Sequence, residues 1–280
     1  VPLMVCSALF VGILAGMYPA FYLSSFRPVN VLKGSISVGS KSGKLRSGLV
    51  VFQFATSVIL IIGTLIIYKQ MDYIQHKELG YNKEQVVILD GANILGNKSE
   101  SFKEQLLQLP QVQTVTKSDY LPIDGAKRNG NTFKKTGEGI EDRGVPAQIW
   151  RVDYDYITTL GIQVKEGRDF SREFASDSVN SMIINDQMAH ELGYDNPIGK
   201  QINNGMDWTI VGVLEDFHFK SLKEDIAPLS LVIANNDSGA ISVKLKPDNI
   251  GESLASIEAL WNKNVPNQVF SYSFLDQQFT

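Results

Sequence analysis

The sequence predicts an α+β domain outside the cytoplasm, built in two lobes, behind two membrane-spanning helices. Three observations predict it. Two long uncharged stretches open the chain, a basic loop without acids joins them, and short β-rich runs then alternate irregularly with short amphipathic helices.

Residues 1–26, "VPLMVCSALFVGILAGMYPAFYLSSF", carry no charge. They lack the basic segment that begins a cleavable signal peptide. With a first residue other than Met, the chain is expected to be cut from something longer. Gly12 and Gly16 make a small-x-x-x-small pair that lets a second helix approach, although glycine is also common in membrane helices. Pro19 is expected to kink or end this first span.

Residues 27–46 hold Arg27, Lys33, Lys41, Lys44 and Arg46 and no acid, the mark of a short cytoplasmic loop that also favours anionic headgroups. Within it Gly39, Gly43 and Lys44 mimic a phosphate-binding loop. Only three residues separate the glycines, however, and Leu45 comes after the lysine where Ser or Thr is needed. The next stretch, Ser47–Tyr68, "SGLVVFQFATSVILIIGTLIIY", is without a charge. As a helix it would be roughly 33 Å long, enough to cross a hydrocarbon core of about 30 Å. Both spans run outward from the basic loop, so everything after about residue 68 is expected outside the cytoplasm. A multi-pass membrane protein is therefore expected.

The net charge of −4 hides a split: the first 68 residues carry five basic residues and no acid, and the rest carry all 30 acids. The acidic outer part argues against nucleic-acid binding. The only cysteine, Cys6, lies in the first span, which excludes an intrachain disulfide and a cysteine-based metal site. An outer domain without disulfides suits a bacterial envelope.

Residues 69–84 read as a polar stalk continuing the second span and stopped near Gly80, and 85–280 as the outer domain. "QVVIL" is a strand. Residues 101–109 read as a helix with a capping box at Ser101 and Glu104 and an apolar face of Phe102, Leu106 and Leu109. "VQTVTKS" is a strand, 124–144 a Gly- and charge-rich mobile loop, and "VPAQIWRV" again a strand. Asp153 or Asp155 can cap a short helix that Gly161 closes. "IQVKEGRDFS" runs from a strand into a turn. "SMIIN" is a buried strand, Asn185 an N-cap, and the helix behind it stops at Gly193. "WTIVGVLEDFHF" is a strand entering an aromatic turn. "LSLVIAN" and "AISVKLK" are strands, 250–264 a helix with Leu254, Ile257, Leu260 and Trp261 inward, and "VFSYSFLD" the last strand.

No catalytic signature emerges. His76, His190 and His218 have no metal-ligand spacing, and G-x-S-x-G is absent. Asp216 and His218 could be two metal ligands. A turn in which Asp216 binds backbone amides while Phe217 and Phe219 enter the core is favoured. Glu166, Asp169 and Glu173 beside Arg168 and Arg172 read as a solvated, charge-balanced loop. No cofactor, metal or catalytic residue is expected.

The order "INDQMAHELGYDNPIGKQI" then "WTIVGVLEDFHFKSL" resembles the extracytoplasmic core domain of MacB-like and FtsX-like bacterial ABC transporter permeases. The matching positions are Asn185, Ala189, Leu192, Gly193, Pro197, Gly199, Lys200, Val211, Gly212, Val213, Asp216 and Phe217. "GRDFS" and "YSFLDQQF" look like the family's as well. These are packing and turn motifs: Gly193 and Gly199 free the backbone for sharp turns, Pro197 stops a helix, and Gly212 in a strand marks a bulge or close approach. The resemblance implies a non-catalytic permease moved by a cytoplasmic ABC ATPase dimer. It also implies a second permease unit or a homodimer, a periplasmic adaptor as a further partner, and mechanical coupling to export or envelope regulation. It implies too that the first span and "FRPVNVLKG" end a preceding permease unit. The chain would then be the middle of an eight-span subunit. The alternative is a membrane-anchored sensor whose outer domain signals inward.

The topology is directly testable. In a Cys6→Ala background, cysteines at Ser40 and Asn97 are probed with an impermeant thiol reagent on spheroplasts. Labelling is expected at 97 alone, and labelling at 40 would reverse the orientation.

Overall fold

The computed structural model describes residues 42–76, 79–123, 129–137, 143–220, 224–234 and 239–279, with 10, 12, 13, 16, 17, 20, 21 and 24 before them. Most of the expected first span, and Arg27, Lys33 and Lys41, lie outside the described residues. The chain forms two compact units, 1–75 and 76–280.

In the first unit α1 covers Ser42–His76. Its 27-residue stretch Arg46–Asp72 is the one helix among the described residues long and apolar enough to cross a membrane. The hydroxyls of Thr56, Ser57 and Thr64 each donate to the carbonyl four residues earlier, at 2.8–2.9 Å. They therefore need no partner beyond the helix. The helix starts before Ser47 and takes in Lys44 and Arg46, and it runs past Tyr68 to His76. Its backbone bonds are internal, so lipid and water edges do not interrupt it.

The second unit carries one mixed sheet. Its strands are β1 (Val86–Leu89), β2 (Val112–Ser118), β3 (Gly130–Lys135), β4 (Val145–Val152), β5 (Val164–Gly167), β6 (Ser181–Asn185), β7 (Gln201–Asn203), β8 (Asp207–Leu214), β9 (Leu229–Ile233), β10 (Ala240–Leu245) and β11 (Tyr272–Phe274). The order is β11-β1-β10-β2-β4-β3-β7-β8-β6-β9, and β9 also pairs with β4, so the last six strands close into a ring. β4–β9 and β6–β8 are parallel and the other pairs antiparallel. The open part joins the ring where β2 meets β4 at one pair, Ser118 with Val152.

Alternation along the strands sorts side chains into three clusters. On one face of the open part, Val87, Leu89, Val115, Ile241 and Val243 pack under α2 (Ser99–Leu107) and α5 (Ile250–Asn264). There Phe102 meets Trp261 edge-on at 5.9 Å between ring centres. In the ring, Met182, Ile184, Ile210 and Phe133 pack with Met188 and Leu192 of and beside α4 (Asp186–Glu191). The opposite faces of β4, β6, β8 and β9 give Trp150, Ile183, Leu214 and Leu231 to a third cluster. Val86 and Ile88 of β1 and Tyr156, Ile157 and Leu160 of α3 (Tyr156–Leu160) join them there. This cluster bridges both parts of the sheet.

Several local expectations give way to tertiary contacts. The tract 124–144, expected as a loop, contains β3, because fully buried Phe133 pins it between β4 and β7. The capping box does not form. α2 continues directly from a 3-10 helix, Ala92–Lys98, so Ser101 and Glu104 lie inside it. Asp155 occupies the N-cap of α3 without capping it, since its carboxylate goes elsewhere, while Gly161 closes that helix with φ 62°. Pro197 stops nothing. α4 ends at Glu191, Leu192 is its C-cap and Gly193 turns the chain with φ 66°. The last strand shortens to three residues, and Leu275–Phe279 form a 3-10 helix.

Trp261 is fully buried, and its indole N–H donates to the Gln268 carbonyl at 3.1 Å. Trp261→Ala is expected to destabilise the second unit by about 3–5 kcal/mol, measured by thermal or denaturant unfolding.

Candidate functional site

Beyond α1 the chain enters the second unit at Leu79–Glu84, and almost every polar and apolar group of this root segment is held. The Leu79 carbonyl accepts from the His218 amide at 2.9 Å, and Leu79 itself is buried. Gly80 has φ +84°, and a Cβ there would lie 2.7 Å from Phe217 Cβ and 2.8 Å from the Asp216 carbonyl. Only glycine meets both demands. The Tyr81 hydroxyl donates to the Pro122 carbonyl at 2.7 Å, and its ring stands edge-on to Phe217 at 6.2 Å. Burial raises its phenol.

The Asn82 amide donates to the Leu160 carbonyl at 2.7 Å. Its side-chain oxygen accepts from the Glu84 amide at 2.9 Å and from Lys244 Nζ at 3.1 Å. Lys244 also reaches the Glu84 carbonyl at 2.6 Å, and burial lowers its ammonium against the pull of Glu84. The root segment is thereby bonded to the exit of β8, the β2–β3 connection, the end of α3 and β10.

The exit of β8 is anchored on its other side. Asp216 Oδ1 accepts from Asn185 Nδ2 at 2.9 Å and from the Gln187 amide at 3.0 Å. Burial raises this carboxyl, and the Gln187 and Asn185 donors restrain the rise. Asn185 is fully buried and spends all four bonds of its amide. Besides Asp216 it donates to the Ala227 carbonyl at 3.1 Å, and it accepts from the Met188 and Leu229 amides at 3.1 and 2.8 Å. Phe217 and Phe219 enter the core beside Trp150, with ring centres 6.3 and 5.1 Å from it. Three successive residues, Asp216, Phe217 and His218, thus tie the ring to the root segment.

The structure brings Asn185, Asp216 and Phe217 together at this site. It places Leu192, Gly193, Pro197, Gly199 and Lys200 elsewhere, on the turn from α4 to β7, where the Lys200 amide donates to the Pro197 carbonyl at 3.0 Å. Gly212 lies against the Arg168 carbonyl, which a Cβ would overlap. Among the described residues no group of three His, Cys, Asp or Glu side chains could hold a metal ion.

Sequence reasoning missed two polar networks because their partners are far apart in the chain. Lys103, nearly fully buried, lies 2.5 Å from both Asp153 and Asp155, and the Lys117 amide and Thr116 hydroxyl also donate to Asp153. Lys117 Nζ, buried too, pairs with Glu100 at 2.8 Å and holds that carboxyl below its usual range. These bonds cross the place where β2 meets β4.

The second network corrects the expectation of a solvated loop around Arg168 and Asp169. Arg168 grips the buried Asp177 carboxylate at 2.6 and 2.8 Å and lies over the Phe174 ring at 3.9 Å. Burial works to raise Asp177, but Arg168 and the Ser171 amide hold it below the usual range. Arg172 reaches Asp155 at 3.2 Å. Between them Asp169 is pushed up to about 6, chiefly by burial, against the Phe170 amide and with the help of Asp155.

A family model described as the MacB-like periplasmic core domain matches residues 50–260. Among solved structures, the periplasmic region of MacB from Actinobacillus actinomycetemcomitans is similar at 15% identity and a TM-score of 0.49, over 73% of this chain and 94% of that one. The extracellular domain of the ABC-type transporter YknZ from Gram-positive bacteria is similar at 18% identity and a TM-score of 0.46, over 62% and 87%. No curated protein sequence matches.

Asp169 titrates higher folded than unfolded, so the folded state takes up its proton first. Its burial penalty is complete above about pH 6 and is relieved as pH falls toward about 4. Asp169→Asn is therefore expected to raise the melting temperature most at pH 7–8, with the gain gone near pH 4. An equal gain at both ends of the titration would refute the assignment.

Proposed function

Because the chain belongs to the family of MacB-like periplasmic core domains, we propose that it is a permease component of an ABC transporter that works by mechanotransmission. A cytoplasmic ABC ATPase dimer supplies the energy and a second permease unit completes the assembly. The outer unit lies outside the cytoplasmic membrane. α1 crosses that membrane and its outer end is the lever. The observation that carries this reading is the seating of Leu79–Glu84 against Asp216, Phe217 and His218.

A displacement of α1 reaches the outer unit through the chain at Leu79. There it meets the Leu79–His218 bond and the Gly80–Phe217 contact. Neither contact can stretch far, because close-packed interiors resist deformation. Phe217 passes the displacement to the aromatic core and Asp216 passes it to β6 and α4. Lys244 and the Leu160 carbonyl carry it to the open part of the sheet. The chemistry of the cycle belongs to the ATPase partner, and this chain converts a helix movement into a movement of its outer unit.

Complexes purified on the full chain are expected to contain an ATP-hydrolysing subunit. MgATP is expected to change hydrogen exchange at 79–84 and 216–219, and Gly80→Val to abolish that change while membrane levels persist. A root segment indifferent to nucleotide, in a complex without an ATPase, would sink the reading. A response to an outer ligand instead would favour a sensor.

A further inference from the structure

We infer that Asn129 is a site of spontaneous modification, at which the Gly130 amide nitrogen attacks the asparagine side chain and the residue converts to aspartate and isoaspartate.

The sequence holds two Asn-Gly pairs, Asn129–Gly130 and Asn204–Gly205. In such a pair the glycine nitrogen can attack the asparagine Cγ. A C–N bond forms, the Cγ–Nδ2 bond breaks, and ammonia leaves with the proton of the glycine nitrogen. Water then opens the five-membered imide at either carbonyl, giving aspartate or isoaspartate. The sum is asparagine and water going to acid and ammonia, with no oxidant or reductant. Glycine favours the attack because no side chain restricts its backbone. The step also needs a carboxamide and an amide nitrogen that are free to meet.

Asn129–Gly130 meets these demands at the start of β3. Asn129 is exposed, and its carboxamide makes no hydrogen bond among the described residues. Gly130 lies opposite Gln148 of β4. The Gln148 amide donates to the Pro228 carbonyl at 2.9 Å, on the far side of β4, so Gly130 and Gln148 are a non-hydrogen-bonded pair. The Gly130 N–H therefore points away from β4, to the outer edge of β3. Along that edge β7 pairs only with Lys134 and Lys135. The bond that Asn129 does make, from the Ile149 amide to its backbone carbonyl at 3.0 Å, engages neither reacting atom.

Asn204–Gly205 has the same two letters and is held. It forms the turn between β7 and β8, with Asn204 half-buried. The Gly205 amide donates to Asn203 Oδ1 at 2.9 Å, and Asn203 Nδ2 is itself bonded to Asp207 at 2.8 Å. Asn204 Oδ1 accepts from Trp208 Nε1 at 2.9 Å, and the Asn204 amide donates to the Met206 carbonyl at 3.2 Å. Bringing nitrogen and Cγ together there breaks bonds that the turn is built on. The fold thus separates two sites that the sequence leaves alike. Isoaspartate at 129 would route the backbone through an extra carbon and displace the carbonyl that the Ile149 amide uses.

The full chain, kept folded at mildly alkaline pH, is followed by peptide mass spectrometry and an isoaspartate-specific methylation assay. Asn129 is expected to convert roughly tenfold or more faster than Asn204, because only its reacting groups are free to meet. In the same chain unfolded by denaturant the two are expected to convert at similar rates. Gly130→Ala should slow conversion at 129 severalfold in the folded chain, where a Cβ at 130 meets only ordinary contacts. Trp208→Phe should speed conversion at Asn204. As Asn129 converts, the Ile149 amide is expected to exchange faster with deuterated solvent. Equal conversion at both sites in the folded chain, no conversion at 129 until the chain unfolds, or the same preference in the unfolded chain overturns the inference.

Discussion

The outer unit depends on a turn of three residues. Asp216, Phe217 and His218 lie just past the end of β8, and each holds something different. Asp216 binds the buried Asn185 and the start of α4, Phe217 fills the aromatic core, and the His218 amide takes the Leu79 carbonyl. The constraint is steric as well as polar, since Gly80 passes so close to Phe217 that no side chain fits between them. If this turn is displaced, the ring, the core and the chain leading from α1 all lose their common fixed point. The turn is a joint at which the Leu79 carbonyl, the Gly80 backbone and the Asp216 carboxylate are all held.

Around that joint the unit mixes two kinds of cohesion. Apolar clusters supply most of the driving force, and the cluster around Trp150 and Phe217 runs under both the closed ring and the open part of the sheet. Where β2 meets β4 the backbone pairing is thin, and buried ion pairs take over. Lys103 between Asp153 and Asp155, extended by Arg172, spans that junction. Buried ion pairs contribute little net stability, because desolvation offsets their attraction. Their geometry is nonetheless exacting, which favours one relative placement of α2, β4 and α3 over a merely compact alternative. Asp169 nearby is raised chiefly by its own burial, with a smaller push from the Asp155 carboxylate.

Much of this was legible locally. Asn185 was readable as an N-cap, and its side chain does accept from the Met188 amide. "VQTVTKS", "VPAQIWRV" and 250–264 matched β2, β4 and α5 to the residue, since each has a clean period and flanking breakers. The polar tract around Phe133 did not read as a strand, because one aromatic residue gives no period and its neighbours in the sheet come from distant segments. Ser101 and Glu104 had the letters of a capping box, but the helix began earlier on a preceding 3-10 turn. The loop of Glu166, Asp169 and Glu173 beside Arg168 and Arg172 looked solvated, because nothing in sequence says that the chain will fold back to bury the Asp177 carboxylate against Arg168.

By itself the sequence determined the class of protein: a long uncharged helix, a basic loop without acids, an acidic α+β domain, and turn motifs that resemble a permease family. Those signals are local, written in charge, period and glycine position. The tertiary structure alone decided where the motifs act. It closed six strands into a ring, set Asp216 and Phe217 between that ring and Gly80, and brought Lys103 to Asp153 across fifty residues of chain. Contacts of that kind depend on which faces the whole chain can bury at once, and no window of sequence contains that information.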